Sequence, residues 1–264
     1  MIQTSQTETR QGLRSQSKRG KRLVQHFYPG ESTAASLNVQ YRLGKIRDLG
    51  LLKGEWLDYG CADGAYTEAM LDLGAEKAVG VDVMEDRIEK ACERAKEREN
   101  LQFFHASDVK LPLADESFDG VWMNEVFEHV QDEVQTLREL HRVLRPGGHL
   151  VVISPNRWFP FEGHGMHIGK RNFWQPVPIL PWLPPQIGQR FMHARNYWPS
   201  ELRKIIRDEG FTLHTKSFIW PVLEVHPWLP APMIRRYQKV IPVFDSMPVV
   251  RCFGVSNFII GQKA

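Results

Sequence analysis

The chain has 264 residues, 42% of them hydrophobic, which is enough for one large domain or for a domain with a cap. Its formal net charge is only +3, and this argues against nucleic acid as the main partner. The sequence has no run of about 18 apolar residues and no signal-peptide core, so we predict no membrane-spanning or secretory segment. Its three cysteines (Cys61, Cys92 and Cys252) are far apart, which excludes a disulfide framework and a CxxC metal pair and favours a reducing, cytoplasmic compartment.

The N-terminal segment, residues 1–22, is polar and carries six basic residues against one acid. This composition predicts a disordered arm. The arm is either simply solvated or contacts anionic lipid or an acidic partner, since each Lys or Arg near an anionic membrane gains about 1 kcal/mol. Residues 23–264 are expected to form the folded domain, and apolar spacing predicts its first helix over 36–49.

A glycine-rich turn at residues 57–64 follows the end of an apolar strand and precedes a stretch with helical spacing, 65–73. Gly60 and Gly64 allow a sharp turn and a close approach of the backbone to a ligand. Asp58 stands just before these glycines. A carboxylate at this position would repel the pyrophosphate that dinucleotide-binding folds hold here, so it favours a ligand with a positive charge.

Strands and helices alternate after this turn. Residues 78–82 form a short apolar strand that ends in Asp82, whose carboxylate can accept hydrogen bonds from both hydroxyls of a ribose. Further strands are predicted over 101–105, 116–123 and 149–154, helices over 87–98 and 133–144, and a Pro-Gly-Gly turn at 146–148. This alternation predicts a parallel sheet with helices on both faces.

Two short segments carry a further signal: Phe-Asp-Gly-Val at 118–121 and Glu-Val-Phe-Glu-His-Val at 125–130. With the turn at 57–64 and the acids that follow it, the chain over about 50–218 and its final strand resembles the class I S-adenosylmethionine-dependent methyltransferases of the small-molecule, methyltransferase 11-like type. The resemblance implies a Rossmann-like, seven-stranded, mostly parallel sheet with helices on both faces and an antiparallel last strand. It also implies S-adenosyl-L-methionine as the cofactor.

The resemblance further implies which residues hold the cofactor. Asp58 and the Gly60–Gly64 loop would hold the methionine end, Asp82 the ribose and Asp108 the adenine amino group. The complete set expected at the cofactor is Asp58, Gly60, Cys61, Ala62, Gly64, Asp82, Val83, Ser107, Asp108, Val109 and Asn124. Ala62 departs from the most glycine-rich form of the motif, a small change that we do not expect to block binding.

Glu162, His164 and His167 cluster in the segment after the fifth strand, on the side where the methyl group would point. His164 and His167 are the catalytic candidates, as general bases for an acceptor hydroxyl, because histidine titrates near neutrality. A metal site would lack a fourth ligand and a helical i, i+4 pair, so none is predicted. The alternative is a loop whose polar groups satisfy its own backbone. His129, on the turn after the fourth strand, is expected to be a packed histidine at a helix start.

Two insertions, at about 155–199 and 220–250, hold most of the 17 prolines and 8 tryptophans. Proline at this density disfavours regular strands and long helices, so we predict an irregular Trp/Pro-rich cap over the acceptor site. Its aromatic residues suit a pocket wall, mutual packing, or peripheral contact with a membrane. A helix at 200–208 and strands at 212–218 and 253–261 are predicted between and after the insertions.

These observations predict S-adenosylmethionine-dependent methyl transfer to a small or lipid-linked acceptor, at oxygen. The chemistry requires mainly alignment and desolvation, and a base only if the accepting atom carries a proton. One alternative is a non-catalytic S-adenosylmethionine-binding domain whose aromatic insertions dock a protein or a membrane. Another is an NAD-dependent oxidoreductase, which predicts no acid at position 58.

Overall fold

The computed structural model describes residues 33–106, 110–174, 176–223 and 230–264. The predicted basic arm, residues 1–22, lies outside the described residues, and so do three residues predicted to line the cofactor, Ser107, Asp108 and Val109. Among the described helices, none is both long and apolar enough to cross a bilayer.

Eleven strands are described, and seven of them form the central sheet. In chain order they are β1 (Glu55–Tyr59), β2 (Lys77–Asp82), β3 (Leu101–His105), β4 (Phe118–Asn124), β5 (Leu144–Pro155), β6 (Phe161–Glu162), β7 (Met166–Ile168), β8 (Arg171–Phe173), β9 (Val177–Pro178), β10 (Phe211–Ile219) and β11 (Ser256–Lys263). The central sheet has the order β10-β11-β5-β4-β1-β2-β3. Within it β11 runs antiparallel to β10 and β5, and the other pairings are parallel. The prediction of seven mostly parallel strands with an antiparallel last strand is confirmed.

Seven α-helices lie within the described residues. They are α1 (Leu37–Arg47), α2 (Ala65–Leu73), α3 (Glu85–Ala95), α4 (Glu133–Val143), α5 (Pro185–Gly188), α6 (Pro199–Asp208) and α7 (Ala231–Ser246). Three 3-10 helices add Phe127–His129, Leu180–Trp182 and Val250–Phe253. The Ser36 side chain caps α1 by accepting the N–H of Val39 at 3.4 Å, so the first predicted helix begins where expected.

Side chains alternate between the two faces of the sheet, and helices cover each face. Trp56 and Trp122 pack on the face covered by α1, α2 and α3, whereas Leu57 and Val121 pack on the face covered by α4 and α6. All four side chains are fully buried. Burial of both faces explains why the strands have nearly continuous apolar runs rather than a strict alternation of apolar and polar residues.

The pairing of β5 with β4 starts earlier than the sequence predicts. β5 begins at Leu144, which pairs with Phe118, and the next partners are Gly120 and His149. The predicted turn at 146–148 is therefore an irregularity within the pairing of the two strands, with Gly147 at a φ of 79°. Pro-Gly-Gly chemistry suits a bulge of this kind as well as a turn.

The second insertion is more regular than its proline content predicts. It contains the 16-residue helix α7, with Pro232 in the first turn and Pro242 in the interior. Proline is tolerated in a first turn because that N–H has no intrahelical acceptor. Asp245 ties α7 to α1 by accepting hydrogen bonds from Lys45 at 2.9 Å and from Tyr41 at 3.3 Å. The first insertion consists of the short strands β6 to β9 and brief helical turns, as its prolines predict. A location of these insertions above the acceptor stays a prediction.

Candidate functional site

The Gly60–Gly64 loop connects β1 to α2 at the carboxyl edge of the sheet. Gly60 and Gly64 have φ values of 81° and 82°, in the left-handed region that favours glycine. A Cβ atom on Gly60 would lie 2.4 Å from Cγ2 of Val126, so the loop passes very close to the segment that follows β4. Ala62 also has a positive φ, 50°, which an alanine adopts at some cost.

Asp82 at the end of β2 holds this loop in place. One carboxylate oxygen accepts the backbone N–H of Ala62 at 2.9 Å, and the other accepts that of Met84 at 2.8 Å. A carboxylate offers about four acceptor sites, so two remain for further donors. Val83 beside it is 66% exposed, which leaves an apolar surface next to the acid. An acid with spare acceptor sites beside an apolar surface suits a nucleoside.

Asp58 is enclosed at the end of β1. Its side chain is 2% exposed, and one oxygen accepts a hydrogen bond from the hydroxyl of Thr67 at 2.7 Å. Burial raises the pKa of Asp58 to about 7. Cys61 is buried in the same loop, and burial raises the pKa of its thiol well above the ordinary range, so it is a packing residue rather than a nucleophile. All three cysteines are free.

The end of β4 is bound to helix α1. Arg42 donates hydrogen bonds to Asn124 at 2.6 Å and to Glu125 at 2.9 Å, and Ser256 of β11 donates to the same Glu125 oxygen at 2.5 Å. Glu125 has a φ of 55°, so the chain turns sharply as it leaves the strand. Asn124, predicted at the cofactor, is thus part of a polar network that joins α1, β4 and β11.

Four side chains next to this network form what we call the Glu128 cluster: Glu128, His129, Glu162 and His164. The carboxylates of Glu128 and Glu162 have no exposed surface. His164 Nδ1 lies 3.2 Å from Glu162, and its Nε2 lies 3.8 Å from Glu128 Oε1. Asn196 donates a hydrogen bond to the other oxygen of Glu162. The cluster therefore combines two buried acids with a histidine in contact with one of them.

The electrostatics of the cluster favour neutral groups. Burial and the nearby carboxylates of Glu125 and Glu162 raise the pKa of Glu128 well above its ordinary value. Partial burial, with smaller effects of His164 and Arg195, lowers the pKa of His129, whose side chain is 49% exposed. A neutral imidazole near a hydroxyl is able to accept a proton.

The structure separates the two histidines that the sequence groups together. His164 belongs to the Glu128 cluster, whereas the ring of His167 packs against His193 with centroids 5.2 Å apart. Sequence reasoning assigned no role to Glu128, although it lies in the Glu-Val-Phe-Glu-His-Val segment. The sequence feature that could have indicated this role is the pair of acids Glu125 and Glu128, three residues apart just after a strand. Arg42, which no sequence motif marks, is buried in an ion pair with Glu125 at the site.

Comparisons with known proteins agree with this geometry. The model of a family described as a methyltransferase domain matches residues 57–152. Demethylmenaquinone methyltransferase from Staphylococcus aureus strain JH9 is 31% identical over 202 residues, which cover 70% of this chain and 80% of that protein. The chain belongs to the class I S-adenosylmethionine-dependent methyltransferases. The enzyme from strain MRSA252 is also 31% identical, over 120 residues that cover 44% of this chain and half of that protein.

Solved structures show the same fold. A methyltransferase from Mesorhizobium loti superimposes with a TM-score of 0.57 at 18% identity, over 85% of this chain and 98% of that one. A possible histamine N-methyltransferase from Thermotoga maritima gives a TM-score of 0.55 at 21% identity and covers 92% of each chain. At these identities the likeness concerns the fold alone.

The cofactor of this methyltransferase is S-adenosylmethionine, and the residues present fit it. The spare acceptor sites of Asp82 suit the two ribose hydroxyls, and exposed Val83 suits the face of a base. The left-handed glycines leave backbone rather than side chains exposed along the loop, as close approach of a ligand requires. The contacts of each of these residues with the cofactor stay predictions, as do those of Asp58, Cys61 and Asn124.

Proposed function

We propose that the chain transfers the methyl group of S-adenosylmethionine to a hydroxyl oxygen of a small or lipid-linked acceptor at the carboxyl edge of β4 and β5. The Glu128 cluster carries this proposal. It lies beside the polar network at the end of β4, where open α/β sheets bind their ligands. Its buried acids and imidazoles form the kind of site that removes a proton from a hydroxyl.

His164 is the residue that would take this proton. Glu162 contacts its Nδ1 at 3.2 Å and would both fix the orientation of the ring and stabilise the charged form. The cofactor supplies an electrophilic methyl group on a sulfonium. The protein then needs to align the acceptor oxygen with that carbon and to exclude water. His167 is a weaker candidate because its ring packs against His193.

One apolar cleft and one sequence similarity support a lipid-linked acceptor. A cleft of about 540 Å³ lies between α6 and the ends of β10 and β11, and its walls include Trp158, Trp198, Phe218 and Phe258. It also includes Asn257, the neighbour of the Ser256 that bonds Glu125. None of its walls belongs to the Gly60–Gly64 loop, so we assign the cleft to an acceptor tail rather than to the cofactor. The similarity to demethylmenaquinone methyltransferase points in the same direction.

The test of this function uses S-adenosylmethionine labelled with ¹³C in the methyl group. The acceptors are a catechol and a hydroquinone that carries an isoprenoid tail. We expect a methoxy carbon signal in the product, with the tailed acceptor preferred. A product with a methyl group on ring carbon, or no transfer to either acceptor, would contradict the proposal.

His164→Asn should lower kcat by about 10²–10⁴-fold, whereas the exposed control His214→Asn should leave it unchanged.

We also propose that the first insertion contacts a membrane peripherally. Ile179, Trp182 and Ile187 are 59%, 45% and 51% exposed, an unusual concentration of large apolar side chains at the surface. Replacing Ile179 and Trp182 with serine should reduce co-sedimentation with phospholipid vesicles. Val134→Ser, at an exposed apolar position of α4, is the matched control. Equal binding of all three proteins to vesicles would contradict this contact.

A further inference from the structure

Glu128 is a buried carboxylate without a hydrogen bond. Its side chain has no exposed surface, and neither oxygen has a hydrogen-bond partner among the described residues. Burying a carboxylate in this way is costly unless a donor, a counter-charge or a metal ion compensates for the lost water. The two carboxylate oxygens of Glu128 are therefore able to accept a bound ligand.

Two histidine nitrogens face this carboxylate. Nε2 of His164 lies 3.8 Å from Glu128 Oε1, and Nε2 of His129 lies 3.9 Å from the same oxygen. One ligand atom from each of the three residues lies within 4.8 Å of the others. Two donors bound to one tetrahedral zinc ion are about 3.3–3.5 Å apart, given metal–ligand distances of about 2.0–2.2 Å. Shifts of about half an ångström would bring the two histidine–carboxylate distances to that geometry. The two histidine nitrogens lie within 4.8 Å of each other and would approach by at most about 1.4 Å.

The surroundings of these donors are those of a metal site. Glu162 lies 3.2 Å from Nδ1 of His164, the nitrogen opposite the one that faces Glu128. A carboxylate on the far nitrogen is the usual partner of a metal-binding histidine, because it fixes the tautomer and raises ligand basicity. Glu162 is itself held by Asn196. The geometry around His164 thus has both a metal-facing nitrogen and its supporting acid.

Other carboxylates lie close to this site. Glu162 contacts Nδ1 of His164 at 3.2 Å, and Glu125, which is paired with Arg42 at 2.9 Å, is near Glu128. A cation bound at Glu128 would therefore lie near groups of opposite charge.

We propose that Glu128, His129 and His164 bind a divalent transition-metal ion, such as Zn²⁺, beside the acceptor. A mixture of imidazole and carboxylate ligands suits zinc and its neighbours better than Mg²⁺ or Ca²⁺. The His129 side chain is 49% exposed, so the site opens to the surface on that side and leaves room for an acceptor oxygen. A site with three protein ligands and one open position is of the catalytic type.

This inference rests on the proposed function in its account of the acceptor. The metal ion would bind the hydroxyl oxygen and lower its pKa, so that the proton leaves to water. The oxygen then forms a bond to the methyl carbon while the carbon–sulfur bond breaks and the electron pair stays on sulfur as a thioether. With the metal ion bound, His164 is a ligand and the ion activates the hydroxyl, whereas direct proton removal by His164 applies to the chain without the ion.

The test is calorimetric titration of the full chain with Zn²⁺ after dialysis against a chelator, in the presence of a phosphine reductant. We expect one equivalent to bind in the micromolar range or more tightly. Glu128→Gln and His164→Asn should each weaken binding more than 100-fold, and Glu162→Gln by about 10–100-fold. His214→Asn and Cys92→Ser, both at exposed positions, should bind as the wild type does.

A second measurement separates specific ligation from a folding defect. Co²⁺ added to the wild type should give the visible absorption of a tetrahedral nitrogen–oxygen site. Glu128→Gln should lack this absorption, and its thermal melting is recorded alongside to check that it is folded. Equal Zn²⁺ affinity in wild type and Glu128→Gln, or no binding to the wild type at 1 mM, a concentration of about 10³ times the expected Kd, would overturn the inference. Because these readouts need no acceptor, they stand apart from any failure of hydroxyl methylation.

Discussion

Arg42 on α1 and Glu125 at the end of β4 form a buried ion pair, with 2.9 Å between Nη1 and Oε1 and side-chain exposures of 1% and 7%. The pair fastens the helix that precedes the Gly60–Gly64 loop to the strand end beside the Glu128 cluster. Asn124 accepts a second bond from the same guanidinium nitrogen at 2.6 Å. Helix α1 is therefore a structural part of the site.

Arg42→Ala should destabilise the fold strongly. Removing one partner of a buried pair leaves the other charge without compensation and costs about 3–5 kcal/mol. Urea unfolding measures this difference in the free energy of unfolding. The control is Arg47→Ala on the same helix, whose pair with Asp48 is exposed and contributes about 1 kcal/mol or less. Similar losses for both variants would show that the Arg42 pair has no special role.

Gly60→Ala should be destabilising for two separable reasons. An alanine at a φ of 81° costs about 1–2 kcal/mol, and its Cβ would lie 2.4 Å from Val126 Cγ2. The double variant Gly60→Ala/Val126→Ala should remove the two closest contacts, leave the Cβ atoms 3.1 Å apart and keep the backbone cost. A double-mutant cycle in urea should therefore give a favourable coupling of about 0.5–3 kcal/mol. Strict additivity of the two single effects would argue against the close approach of the loop to Val126.

Asp58 should make stability depend on pH. Its carboxyl has a pKa of about 7 in the folded protein, against about 3.9 in an unfolded chain. The folded state therefore binds more protons between these values, and the contribution of Asp58 is fully present below about pH 4 and is lost as the pH rises through about 7. The asparagine side chain in Asp58→Asn cannot ionise. The wild type should therefore lose stability relative to this variant as the pH rises from about 4 to about 7.

The measurement is the free energy of unfolding of both proteins at several pH values. The slope of their difference should be at most about 1.4 kcal/mol per pH unit. Asp72→Asn, at an exposed position of α2, serves as the control and should keep the wild-type slope. A difference between wild type and Asp58→Asn that stays constant from pH 4 to pH 7 would show that Asp58 is not buried as described.

Much of the fold could be predicted because its signals are local. The turn at 57–64 follows a strand and precedes a helix within a few residues, and Asp82 directly ends the next strand. The central sheet then follows from repetition of the same unit. The helix α7 was not predictable from proline density, because Pro232 falls in its first turn, where proline is accepted.

The candidate site was less predictable because its contacts are distant in sequence. Arg42 and Glu125 are 83 positions apart, and nothing near either residue indicates the other. Glu128 and His164 meet only because the first insertion folds back on the end of β4. Glu162, His164 and His167 are close together in the sequence, whereas the folded chain brings Glu128 and His129 to His164.

Calorimetric titration with S-adenosylhomocysteine tests whether the Gly60–Gly64 loop and Asp82 bind S-adenosylmethionine. We expect micromolar binding to the wild type and a loss of at least about tenfold in Asp82→Asn, since bonds to a charged acceptor contribute about 1.5–3 kcal/mol each. Asp86→Asn, exposed at the start of α3, should bind as the wild type does. Thermal melting checks that Asp82→Asn remains folded without the charge that holds Ala62. No binding of S-adenosylhomocysteine to the wild type, or tight binding of NAD instead, would contradict the account.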